Sequence, residues 1–83
     1  MNNPTTLTTA TALAAWLQAQ FAEWQSAQPG RTSLSAFADY LGLDRTYLHK
    51  FAHGQHRPSR LNAIKIAARL GPEIYDLLGQ ARP

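Results

Sequence analysis

Between Arg45 and Arg60 the chain carries Arg45, Lys50, Arg57 and Arg60 together with His49, His53 and His56, and neither Asp nor Glu. Side chains of these types donate hydrogen bonds and positive charge, so their shared chemistry is recognition of anions. A field of that sign attracts nucleic acid first and an anionic membrane surface second, and the bland alternative is a solvated basic face. A metal is the other chemistry the cluster raises. His49 and His53 stand at i and i+4, the spacing of zinc-binding pairs on one helix face. Lys50, however, follows His49 where a metalloprotease has Glu, and the chain has no Cys to complete a ligand set. No metal or other cofactor is predicted. For catalysis there is no nucleophile–base pairing, glycine-rich phosphate cradle or carboxylate pair, and Asp44 reads better as a helix cap, so no enzyme is predicted. The three His give a pH expectation: affinity for an anion such as DNA rises as pH falls through about 6.5.

The residues around this cluster set the limits. Eighty-three residues, 45% hydrophobic and 16% charged, are enough for one small domain with little spare core. No stretch reaches the roughly 20 apolar residues of a membrane span, and the N-terminus lacks the basic region of a secretory signal. A cytoplasmic protein is expected. The net charge of +3 is segregated, since residues 1–30 hold no Lys or Arg and one acid, Glu23. Without Cys, stability must come from apolar packing or from association, which makes a homodimer plausible for so small a domain.

Five helices are predicted to position the cluster. Residues 1–8, rich in Asn, Pro and Thr, read as a disordered lead-in, residues 9–79 as the folded domain and 80–83 as a tail. From Thr9, Leu13, Trp16, Leu17, Phe21 and Trp24 recur at spacings of three and four, forming one stripe of a helix that Pro29-Gly30 breaks. Most of that stripe should be core, although Trp16 or Trp24 could reach a partner interface. Ser33 caps a second helix with Leu34, Phe37, Ala38 and Leu41, ended by Gly42. Asp44 caps a third from Arg45 to about Ala52, with Leu48, Phe51 and Ala52 inward. After the polar loop Gln55-His56-Arg57-Pro58, Ser59 caps a fourth helix carrying Leu61, Ile64, Ala67 and Ala68, ended by Gly71. Pro72 and Glu73 open a fifth with Ile74, Leu77 and Leu78 inward. No stretch alternates with period two, so the fold class is all-α.

Two short helices around the Gly42-Leu43-Asp44 turn match a helix-turn-helix, whose second helix enters the major groove of DNA. At about 100° per residue, taking Leu48 as the core direction, Thr46, Lys50 and His53 fall opposite, with Arg45 and His49 on the flank. Arg45, Thr46, His49 and Lys50 are therefore the candidate base readers: Arg or Lys can donate to guanine O6 and N7, and Thr can offer a hydroxyl or a methyl. Ser33, Tyr47, His53, Gln55, His56, Arg57 and Arg60 are the candidate phosphate contacts, which set register and salt-dependent affinity without reading sequence.

The stretch Ser33 to Gly54, followed by Arg57-Pro58-Ser59 and the ending Ala67-Ala68-Arg69-Leu70-Gly71, resembles the phage-repressor family of helix-turn-helix proteins, the lambda-repressor and Cro-like (XRE) domains. The resemblance covers about residues 12–79. It implies a compact five-helix domain that binds double-stranded DNA as a homodimer on an inverted repeat and regulates transcription. It also implies that the fifth helix, through Ile74, Tyr75, Leu77 and Leu78, docks across the two-fold axis. Three departures stand out. Leu34 replaces a frequent Gln that supports base reading. Ala52 replaces a common Glu whose basic partner in the first helix is also absent. The first helix is apolar and Trp-bearing rather than Arg-rich, which suggests an additional protein partner there. The competing reading is a protein–protein interaction module, antitoxin-like or adaptor-like, on the same fold, because fold does not fix function.

Overall fold

Helix boundaries in this chain follow from capping. In the computed structural model, which describes residues 9–30 and 32–83, five helices run in order: α1 Thr9–Ser26, α2 Leu34–Leu41, α3 Arg45–Ala52, α4 Arg60–Leu70 and α5 Glu73–Leu77. The lead-in expected over residues 1–8 lies outside the described residues. Ser33 Oγ accepts from the Ala36 N–H at 3.1 Å, Asp44 Oδ2 from Tyr47 at 3.0 Å and Ser59 Oγ from Asn62 at 3.3 Å. Each supplies an acceptor to a first-turn N–H that has no partner within its own helix. No strand occurs among the described residues.

The turn between α2 and α3 depends on Gly42, whose φ of 75° is the left-handed conformation that a Cβ disfavours. Its N–H donates to the Asp39 carbonyl at 3.2 Å, while Leu43 N–H reaches back to Ala38 at 2.9 Å. This doubled bond ends α2 and reverses the chain in one residue. Leu43 then drops into the core at 7% exposure, anchoring the turn from beneath.

One apolar cluster joins all five helices, with Leu13, Leu17, Phe37, Leu48, Phe51, Ile66 and Ile74 fully enclosed. Burying each such side chain contributes roughly 1.5–3 kcal/mol. α1 packs on α3 and α5, α2 on α3 and α4, and α4 on α5. The helix-turn-helix is thus held from behind by α1, through α3, and by α4, through α2. A neutral hydrogen bond ties α1 to α3: Gln18 Nε2 donates to the Ala52 carbonyl at 2.6 Å.

The α1 stripe packs as its spacing predicts. Trp24 and Phe21 are half-buried in an aromatic group with Phe37 and Tyr40, the Trp24 ring lying 5.1 Å from Phe37 and 5.4 Å from Tyr40. Trp16 donates its indole N–H to Glu73 Oε1 at 2.9 Å, linking α1 to the start of α5. Both Trp residues therefore have partners inside the domain.

α4 departs from expectation. Leu61 is 64% exposed and Ile64 45%, Ala68 is exposed, and the core is instead reached by Ala63 and Ile66, with Ala67 and Leu70 half-buried. The helix carries two apolar stripes at helical spacing, 61/64/68 and 63/66/67/70. The longer one faces α2 and α5, with Ala63 and Ile66 fully enclosed.

α5 also differs in its buried set: Ile74, Tyr75 and Leu78 are 0–3% exposed, and Leu77 is only half-buried. Of the four α5 residues expected at a dimer interface, Ile74, Tyr75 and Leu78 pack in the core of the single chain and Leu77 is the most accessible. The C-terminal residues are tied back rather than trailing. Arg57 Nη2 donates to the Leu78 carbonyl at 2.7 Å, and Arg60 Nη1 donates to Gln80 Oε1 at 3.1 Å and the Ala81 carbonyl at 2.8 Å. Arg82 pairs with Asp76 through both carboxylate oxygens.

Candidate nucleic-acid interface

α3 buries Leu48, Phe51 and Ala52, and this choice of face decides what the helix presents outward. Arg45, Thr46, His49 and Lys50, with the helix-ending His53, are all exposed. The four expected base readers thus share one solvent-facing surface. No residue of α3 is acidic, and the cap Asp44 has its carboxylate engaged with the Tyr47 N–H.

Arg45 is not free on that surface. Its Nε donates to Asp39 Oδ1 at 3.2 Å and its Nη2 to Oδ2 at 2.7 Å, a two-point pair across the turn from α2. The guanidinium beside Asp39 holds that carboxyl below its ordinary value, chiefly through the hydrogen bonds, and Asp39 raises Arg45 in turn. Both side chains stay more than half exposed. Sequence reasoning missed this pair because helix-face spacing does not extend across a turn; the only signal was two opposite charges six residues apart on either side of Gly42.

The end of α3 orders its histidines. His53 Nδ1 lies 2.7 Å from the His49 carbonyl, so this nitrogen carries the proton and donates, leaving Nε2 outward as an acceptor in the neutral ring. The His49 and His53 rings lie parallel at 6.4 Å. Gly54, at φ 75°, and Gln55 close α3 with the same doubled backbone bond as at Gly42.

The expected phosphate contacts divide. Ser33 is exposed at the start of α2, its oxygen accepting from Ala36 and its hydroxyl hydrogen left to donate. Gln55 and His56 are exposed in the loop, with the His56 ring 5.6 Å from that of Tyr47. Tyr47 does not fit the role: its hydroxyl oxygen is buried beside Asn62 and Ser59 without good hydrogen-bond geometry to either, and burial pushes the phenol above its ordinary value. Its position on α3, one residue before the buried Leu48, turns it toward the start of α4. Arg57 and Arg60 are exposed, but donors of each hold the segment at and just after the end of α5, and the Arg60 guanidinium lies 5.0 Å from the centre of the Tyr75 ring. Among the described residues no group of three His, Cys, Asp or Glu is placed to hold a metal ion, and no helix is long and apolar enough to cross a membrane.

Comparison with known proteins agrees with a helix-turn-helix. A family described as helix-turn-helix matches residues 28–75, a span that contains α2, α3 and α4 entire. No curated protein and no solved structure matches the chain at a significant level.

Proposed function

From the premise that the chain belongs to the lambda-repressor and Cro-like family of helix-turn-helix domains, which bind DNA, we propose a sequence-specific transcription regulator that lays α3 in the major groove. The observation that supports this most is the outer face of α3, where Arg45, Thr46, His49 and Lys50 stand exposed together without an acid on the helix. Arg45, at the N-terminal end, meets the base edges first, and Lys50 follows one turn later. Ser33, His53, Gln55 and His56 flank the groove as phosphate contacts, and Arg57 and Arg60 add positive charge from their anchored positions.

The regulator acts as a homodimer on an inverted repeat and represses by occupying its operator in the cytoplasm. The apolar surface left for a second copy is Leu77 of α5 with Leu61 and Ile64 of α4. The two exposed α4 residues also favour a second reading, a protein-interaction module on the same fold, because large apolar side chains outside a core are what partner contacts use.

Selection of binding sites from a random duplex library at about 0.15 M salt separates the two. An enriched inverted repeat with half-sites about one helical turn apart supports the regulator. Salt-sensitive binding without enrichment rejects it in favour of the interaction module.

A further inference from the structure

The Asp39–Arg45 pair has no adequate explanation in stability. Exposed ion pairs contribute little, and this one is more than half exposed at both ends. Asp39 also stands in the last turn of α2, where the partial negative charge of a helix C-terminus disfavours a carboxylate. On the proposed DNA-facing side a carboxylate is further disfavoured by phosphate. An acid there is unfavourable on both counts, and its bonded partner among the described residues is the first residue of the recognition helix.

The geometry supplies a use. A guanidinium has five N–H groups in a rigid plane, and Asp39 engages the side made by Nε and one hydrogen of Nη2. The end edge, made by Nη1 and the second hydrogen of Nη2, keeps two parallel donors. Two parallel donors are what guanine O6 and N7 accept. The pair also removes rotamer freedom from a long side chain before any DNA arrives, so that freedom need not be lost on binding.

We propose that Asp39 is a specificity-determining positioning residue: it holds Arg45 so that the end edge of the guanidinium reads one guanine, and it opposes binding where that guanine is absent. This rests on the DNA-reading function proposed above. Asp39 itself need not touch a base. Its carboxylate makes Arg45 selective, since an unheld Arg swings to phosphate and binds any sequence.

The test uses the full chain and its Asp39→Ala, Asp39→Asn, Arg45→Ala and double Asp39→Ala/Arg45→Ala variants, each put through the random-duplex selection and then titrated on the best site and on random duplex. The expected result is a guanine preference that Arg45→Ala abolishes and that Asp39→Ala and Asp39→Asn reduce at least about fivefold, the lower end of what a two-point guanine contact contributes. Random-duplex affinity stays level or rises in the Asp39 variants, and in the Arg45→Ala background the Asp39 change has no further effect on base preference. A merely structural strut would lower the melting temperature and weaken all sequences alike. An unchanged guanine preference in both Asp39 variants, with the wild type still selecting a site, overturns this proposal alone. No enrichment with the wild type overturns the DNA-reading function and this proposal with it.

Discussion

At the scale of single residues, the candidate site is made of side chains whose roles depend on whether their polar groups are already engaged. Arg45 and Lys50 are exposed, and replacing either by Ala should cost about 1–3 kcal/mol on the selected site and relax one base position. Equal losses on selected and random duplex would reject base reading for that residue. Arg57 shows the opposite case. Its bond to the Leu78 carbonyl predicts that Arg57→Ala destabilises the fold by about 1–2 kcal/mol, seen as a lower denaturation midpoint, with a change in the salt dependence of DNA binding smaller than that of a direct phosphate contact. A normal midpoint with a shallower salt slope would return Arg57 to the phosphate contacts. Asp39 and Asp76 are both held below the ordinary value of 3.8 by their arginine partners. Any stability they add is present above the unfolded-state value and is lost as pH falls through the lowered folded value. Carboxyl-carbon NMR titration should place both midpoints under 3.8, and Arg45→Ala should bring Asp39 back up while leaving Asp76 low. The residue types of this site were legible in the sequence. Their engagement was not, because the Asp39–Arg45 pair and the arginine bonds to Leu78 and Ala81 cross between elements.

At the scale of elements, the local code was nearly sufficient. Ser33, Asp44 and Ser59 start helices where an Ncap oxygen is needed, and Gly42 stops α2 where a left-handed residue is needed. These signals act within a few residues, so sequence carries them whole. Beyond its two chain neighbours, a Cβ at Gly42 would meet no heavy atom within 4 Å, so the cost of Gly42→Ala is conformational. Urea denaturation should show a loss of about 1–2 kcal/mol with an unchanged slope. A neutral substitution would mean that the turn accepts another conformation. α4 marks the limit of the local code: its two apolar stripes are equivalent to a helical wheel, and only the positions of α2 and α5 select Ala63 and Ile66 over Leu61 and Ile64.

At the scale of the whole molecule, one apolar cluster orients the helix-turn-helix, and its membership is a direct test of the fold. Ile66→Ala should cost about 2–5 kcal/mol, whereas Leu61→Ser, at a site 64% exposed, should stay within about 0.5 kcal/mol in the isolated chain. Comparable losses at the two positions would reverse the face assigned to α4. By itself the sequence determined the all-α class, the caps, the turn and the outward set Arg45, Thr46, His49 and Lys50, because capping and amphipathic spacing are short-range properties written in consecutive residues. Only the tertiary structure decided which stripe of α4 is inside, that Tyr47 turns its hydroxyl inward, that Gln18 ties α1 to α3, and that Tyr75 rather than Leu77 joins Ile74 and Leu78 in the core. The physical reason is common to all four: each depends on what a neighbouring element presents, and that is set when helices distant in sequence pack together.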